Sequence, residues 1–164
     1  MKNSLNTKHS DRIHTLIARA RMLLTAATIA ILAAGLTNCS HSELWNEMPS
    51  DIASFVSHYF PNSELNSYSH SGNTYHVRID DGPGLTFGAN YAWIAIDGYG
   101  MPMPQVLLFD QLPPKLYDYL QETEQLNSVF SMERDKDYYT LTLLDSMLRY
   151  TIATGAMTMR VERE

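Results

Sequence analysis

From Met48 onward the chain switches between two hydrophobic periods, and the switch occurs twice. After Pro49, Ile52, Phe55 and Val56 fall at i, i+3 and i+4, which predicts an amphipathic helix ending near Pro61. After Pro113, Leu116, Tyr119 and Leu120 repeat that spacing at an offset of 64 residues. At the same offset, residues 75–79 (YHVRI) answer residues 139–143 (YTLTL), and both alternate apolar and polar with period two. Trp93 answers Met157. Asn73, Lys136 and Asp137 mark hairpins that enter these strands, while Asp80, Asp81, Gly82, Asp145 and Ser146 mark those that leave.

Each half therefore reads as a helix followed by about four antiparallel strands. The first copy spans about 48–97, with strands over 64–70, 73–80, 84–88 and 91–97. The second spans about 105–164, with strands over 126–133, 137–144, 147–152 and 156–162, and a short extra helix over 104–110. Between them, residues 98–104 hold two glycines and two prolines, which breaks any regular element. The predicted fold class is α+β, a tandem repeat with its helices packed on one sheet face. Tyr75, Val77, Ile79, Tyr139, Leu141 and Leu143 would fill that face, and the other would meet solvent.

The first 38 residues follow a different logic. Lys2, Lys8, Arg12, Arg19 and Arg21 precede fifteen uncharged, mostly apolar residues, Met22 to Leu36. That is the layout of a secretory signal and is short for a membrane-spanning helix, which needs about 18 or more apolar residues. Cys39, the single cysteine, follows directly and cannot form an internal disulfide. Its position resembles a bacterial lipobox, which implies a lipid-bearing thiol and attachment to a membrane outside the cytoplasm. Cleavage at the small residues within 33–36 is the alternative and would leave a soluble periplasmic chain with a free thiol. Residues 39–47, polar apart from Leu44 and Trp45, read as a short tether.

Removing 1–38 changes the charge. The whole chain has 12 basic and 18 acidic residues; the removed part holds five and one, leaving seven against seventeen, a net charge of −10. Such a field repels phosphate backbones and excludes nucleic acid as a partner.

Catalytic patterns are absent: no G-x-S-x-G, no H-E-x-x-H, no G-x-G-x-x-G and no P-loop lysine. Three carboxylate pairs, Asp80–Asp81, Glu122–Glu124 and Asp135–Asp137, fall at predicted turns or a helix end, where such residues cap turns for local reasons. His58, His70 and His76 are scattered over helix, turn and strand, so neither a metal nor any other cofactor is expected. Met157 and Met159 read as a buried strand face. What remains is the open sheet face, with Thr74, His76, Arg78, Tyr138, Thr140 and Thr142 pointing outward from strands expected to pair centrally. Tyr and Arg dominate protein interfaces, so His76, Arg78, Tyr138 and Thr140 form the candidate partner footprint, with Tyr99 of the Gly/Pro-rich connection as a loop anchor.

The proline-started helix, the Tyr-x-Val/Leu-x-Ile/Leu strand and the stretch from Phe87 to Trp93 resemble those of the β-lactamase-inhibitor-like, PepSY-like secreted bacterial proteins. The resemblance covers about 48–163; the second copy has Thr151 and Met157 where the first has its aromatic pair. It implies a tandem α+β repeat, export to the periplasm or cell envelope, and protein or peptide binding without enzymatic activity. It supplies no inhibitory motif in this sequence. The competing readings are a structural or folding-helper envelope lipoprotein and, remotely, a small envelope hydrolase.

Overall fold

A computed structural model describes residues 39–161, and those from Glu43 onward form one compact unit. The described helices are α1 (Cys39–Glu47), α2 (Ser50–Tyr59), α3 (Gln105–Gln111) and α4 (Pro114–Glu122). The strands are β1 (Leu65–Ser71), β2 (Thr74–Ile79), β3 (Gly84–Phe87), β4 (Trp93–Asp97), β5 (Ser131–Arg134), β6 (Tyr138–Thr142), β7 (Ser146–Thr151) and β8 (Met157–Val161). All eight strands form one antiparallel meander in sequence order. Helices α2 to α4 start directly after Pro49, Pro104 and Pro113, whose φ values of −53°, −57° and −54° lead the chain into the first turn.

One row of side chains explains why this meander has a single inner face. Val77 pairs with Leu85, Leu85 with Ile96, Ile96 with Met132, Met132 with Leu141 and Leu141 with Leu148. All six are at most 2 % exposed. Ile52 and Val56 of α2, Leu107 and Leu108 of α3, and Leu116 and Leu120 of α4 join them in the core. Removing such side chains from water drives folding, at about 1.5–3 kcal/mol for each fully buried large apolar side chain.

A bulge in β4 resolves a spacing that alternation cannot. Thr86 pairs with Ala95 but Phe87 pairs with Trp93, so Ile94 is the extra residue. Both Trp93 and Ile96, three positions apart, therefore point inward and are 1 % exposed.

Several expectations need correction. The predicted tether 39–47 is helical, and Leu44 and Trp45 pack against the core. The buried Met48 follows directly after that helix. The strand predicted over 126–133 starts later, at Ser131, after a 3-10 turn at Leu126–Ser128. The carbonyls of Val129 and Phe130 instead accept from the N–H groups of Met103 and Gly98, at 2.7 and 2.8 Å. Strands β2 and β6, expected to pair, are separated by β3, β4 and β5. Tyr75 and Tyr139 are half-buried rather than core residues, and Met159, on the end strand β8, is 39 % exposed. The predicted signal segment 1–38 lies outside the described residues. No described helix is long and apolar enough to cross a membrane.

Candidate functional site

The open face is the mirror of the buried row. Each strand residue between two inward ones points outward, so the register sets two parallel lines across the sheet. One runs through Ser69, His76, Thr86, Ala95, Glu133, Thr140, Arg149 and Thr158; the other through Ser67, Arg78, Gly84 and Asp97, then Ser131, Thr142, Met147 and Arg160.

Arg78 and Tyr99 form the first cluster. The Arg78 guanidinium lies 3.6 Å from the centroid of the Tyr99 ring, a close cation–π contact. Tyr99 comes from the connection after β4, where its φ of +50° and that of Gly100, +87°, turn the chain back over the sheet. The Asp97 carboxylate accepts the Tyr99 N–H at 2.8 Å and fixes the turn. Gly84 makes the room: a Cβ there would lie 2.8 Å from the Tyr99 hydroxyl and 3.0 Å from its ring. The ring therefore rests on bare backbone, and Tyr99 is still 59 % exposed. His76 stands one outward position along β2 from Arg78, with Nδ1 3.3 Å from the Thr86 hydroxyl.

Tyr138 and Arg149 form the second cluster, with the guanidinium 4.7 Å from the ring centroid. Thr140 sits between Glu133 and Arg149 in the register. Asp135 supports Tyr138 from the β5–β6 turn, accepting the backbone N–H groups of Asp137 and Tyr138 at 2.7 Å each. Those two donors hold the Asp135 carboxyl below the usual carboxylate range.

The residues of the expected footprint lie on one face of the sheet, but in two separate groups. His76, Arg78 and Tyr99 gather at one side; Tyr138 and Thr140 lie four strands away, about 19 Å at the usual inter-strand spacing. Between them the small side chains of Thr86 and Ala95 floor a shallow hollow of about 330 Å³, with Arg78, Tyr99 and Glu133 on its rim. Thr142 is engaged locally, accepting from the Ser131 hydroxyl at 2.8 Å. Arg149, Arg160, Asp97 and Glu133 also belong to this face and were absent from the sequence-based footprint. The signal that marks Arg149 as outward is its place next to the buried Leu148 in an alternating strand.

Charge is unevenly spread. Of the six described basic residues, Arg78, Arg149 and Arg160 lie in the two outward lines, against Asp97 and Glu133. Half of the described basic residues thus gather on this face, interleaved with Asp97 and Glu133 and beside Asp135.

The other candidates stay apart. His58 approaches Asp110 at 3.6 Å, and His70 stacks on Tyr75 with centroids 4.5 Å apart. Among the described residues no three His, Cys, Asp or Glu side chains gather as metal ligands. Asp80 and Asp81 sit in the β2–β3 turn, where Asp81 adopts φ +47°, and Glu124 follows α4 at φ +57°. The low pKa of Asp135 makes it a stable anion in a turn, a poor proton donor or acceptor near neutral pH.

The chain matches no protein-family model and no curated protein. Its likeness is to solved structures. A "putative calcium-regulated periplasmic protein" from Bacteroides thetaiotaomicron aligns with TM-score 0.59 and 19 % identity, over 71 % of this chain and 92 % of that one. A "putative periplasmic protein from DUF2874 family" from Bacteroides vulgatus aligns with TM-score 0.61 and 17 % identity, over the same shares. At these identities what is shared is the fold, an antiparallel sheet with helices on one side. A BLIP-like protein from Bacteroides fragilis aligns over 71 % of this chain and 89 % of that one at 14 % identity, but its TM-score of 0.30 supports no statement about this chain.

Proposed function

We propose that this chain is an exported, non-enzymatic binding module of the cell envelope that grips a protein or peptide through the open face of its sheet. The observation that carries this reading is the pairing of Tyr with Arg at two places on that face, the exposed Tyr99 with Arg78 and the half-buried Tyr138 with Arg149. Each pair presents a broad, pre-positioned aromatic surface and a cation, the combination found at interface hot spots. The arginines Arg78, Arg149 and Arg160, interleaved with Asp97 and Glu133, give the face charges of both signs that can set the register of a bound partner. Periplasmic proteins sharing the fold support an extracytoplasmic location.

The test is capture of partner from envelope extract by full-length wild type and by Arg78→Ala/Tyr138→Ala. The double variant is expected to lose at least tenfold in capture, as truncated interface anchors cost 2 kcal/mol or more, with an unchanged melting temperature. Undiminished capture by the folded variant would remove the open face from the reading.

Anchoring is part of the proposal. Cys39 carries the lipid, in the lipobox-like position after the apolar segment, and two acyl chains suffice for stable attachment. Metabolic labelling with a fatty-acid analogue should mark wild type and not Cys39→Ser; label in the serine variant, or none in wild type, would exclude acylation at this thiol.

We also infer that the two halves are copies of one unit, as the PepSY-like resemblance implies. Val77 and Leu141, 64 residues apart, are both fully buried on the second strand of their halves, and Tyr75 and Tyr139 are both half-buried beside them. Trp93 and Met157 have diverged, since the first is buried and the second lies on the uncovered end strand.

A further inference from the structure

Strand β8 ends the sheet, and it is unusually bare. Its residues after Met157 are all exposed, with Met159 at 39 % and Val161 at 64 % on the side that faces the core elsewhere, as the pairing of Met159 with the buried Leu148 shows. The opposite end strand is blunted in the usual ways: β1 carries a bulge between Leu65 and Ser67, and Ser67, Ser69 and His70 along its length. The register of β8 against β7 runs without a bulge from Met157 to Val161, and β8 has no proline.

The hydrogen-bond phase says which backbone groups are outermost. Thr151 N–H donates to the Ala156 carbonyl at 2.8 Å. In an antiparallel pair, bonded positions recur every second residue, so Arg149–Thr158 and Met147–Arg160 are the next bonded pairs. Thr158 and Arg160 therefore direct their backbone groups at β7. Met157, Met159 and Val161 direct theirs away from the sheet.

We propose that β8 is a self-association edge whose partner is β8 of a second copy, paired antiparallel about a two-fold axis through Met159. The outward groups are spaced for it. Met159 falls opposite Met159 of the second copy, and Met157 opposite Val161 on either side, giving three hydrogen-bonded pairs in register. The same pairing lays the exposed thioethers and Val161 against one another on the helix side. On the open face Thr158 falls opposite Arg160, so no like charges meet directly. Two eight-stranded sheets thereby become one continuous sheet, and both open faces point the same way. A five-residue edge makes a small interface, so the association is weak and concentration-dependent in free solution; tethering to one membrane would raise the local concentration of both copies. This inference does not depend on what the open face binds.

The test uses full-length chain in detergent micelles, with Cys39→Ser to remove the native thiol. Under mild oxidation Met159→Cys should form a disulfide-linked dimer, since the two-fold brings its Cα atoms to about 5.5 Å. Val161→Cys alone and Thr158→Cys alone should remain monomeric, whereas Met157→Cys/Val161→Cys should cross-link. By sedimentation, Met159→Pro should raise the dimer dissociation constant at least tenfold with unchanged melting temperature, because it deletes an outward N–H and no bond to β7. Equal cross-linking at positions 158 and 159, or a monomer at every concentration to several hundred micromolar, would overturn the proposal.

Discussion

Trp93 donates its indole N–H to the side-chain oxygen of Gln111 at 2.7 Å, tying the middle of the sheet to the end of α3. Gln111 in turn donates to the Tyr59 hydroxyl at 2.6 Å, and that hydroxyl lies 3.4 Å from Asp110. One amide thus satisfies a donor on β4 and an acceptor on α2, two elements from opposite ends of the first half. Burial pushes the Tyr59 hydroxyl pKa up, the Gln111 hydrogen bond opposes that shift, and the nearby Asp110 carboxylate reinforces it.

Gln111→Leu should therefore cost more than a surface change of the same kind. It strands the indole N–H of a side chain that is 1 % exposed. An unsatisfied buried donor costs about 1–3 kcal/mol, read as a lowered urea midpoint at constant m-value. Gln111→Glu keeps the acceptor and should recover the Trp93 bond while losing the donor to Tyr59.

The core row predicts a contrast between neighbours on one strand. Leu141→Ala opens a cavity at a fully buried position and should destabilise by about 2–5 kcal/mol. Tyr139→Phe, two residues earlier and half-buried, has no side-chain hydrogen bond to lose among the described contacts and should stay within about 0.5 kcal/mol of wild type. Thermal or urea unfolding of the two variants checks the register. If Leu141→Ala cost no more than Tyr139→Phe, Leu141 would not be buried and the inner face of β6 would be misassigned.

Why the sequence revealed some of this and not the rest is a matter of interaction range. Period-two alternation around Val77 and Leu141 is a local signal, and it placed both strands and their inner faces correctly. The bulge at Ile94 is not local: it depends on how β3 and β4 pair, so Trp93 and Ile96 could not both be assigned inward from spacing alone. The pairing of β4 with β5, which separates β2 from β6, is likewise a tertiary choice that divides the predicted footprint. Exposure at the end of the sheet is the third such case, because alternation marks Met159 as inward whether or not it is covered. Within the footprint, Arg78 and Tyr99 were nominated for their chemistry, but their contact arises only because Gly84 leaves room on the neighbouring strand.

Asp135 gives a pH prediction. Its folded-state pKa lies below the ordinary carboxylate value because the N–H groups of Asp137 and Tyr138 favour the charged form. A depressed carboxyl pKa stabilises the fold above the unfolded value, near 3.9, and that contribution is lost as pH falls through the folded value. Wild type should therefore melt higher than Asp135→Asn at neutral pH, and the gap should narrow below about pH 4. A gap that is constant with pH would mean the turn depends on side-chain shape rather than charge.

The seat of Tyr99 can be removed from beneath it. Gly84 is in a strand with ordinary backbone angles, so alanine is tolerated by the backbone, and the atoms nearest its new Cβ belong to Tyr99. At 2.8 Å from the hydroxyl and 3.0 Å from the ring, that methyl must displace the tyrosine from Gly84 and loosen its contact with Arg78. Because the ring is exposed and at the end of a turn, it can move without unfolding the sheet, and the melting temperature should change little. Partner capture should fall in Gly84→Ala as it falls in Tyr99→Ala. In a Tyr99→Ala background the same glycine replacement should have no further effect, since there is no ring left to displace. This double-mutant cycle separates the positioning role of Gly84 from any direct contact it makes with the partner. Additive losses would show that Gly84 is contacted directly, and that the Arg78–Tyr99 geometry is not what the partner requires.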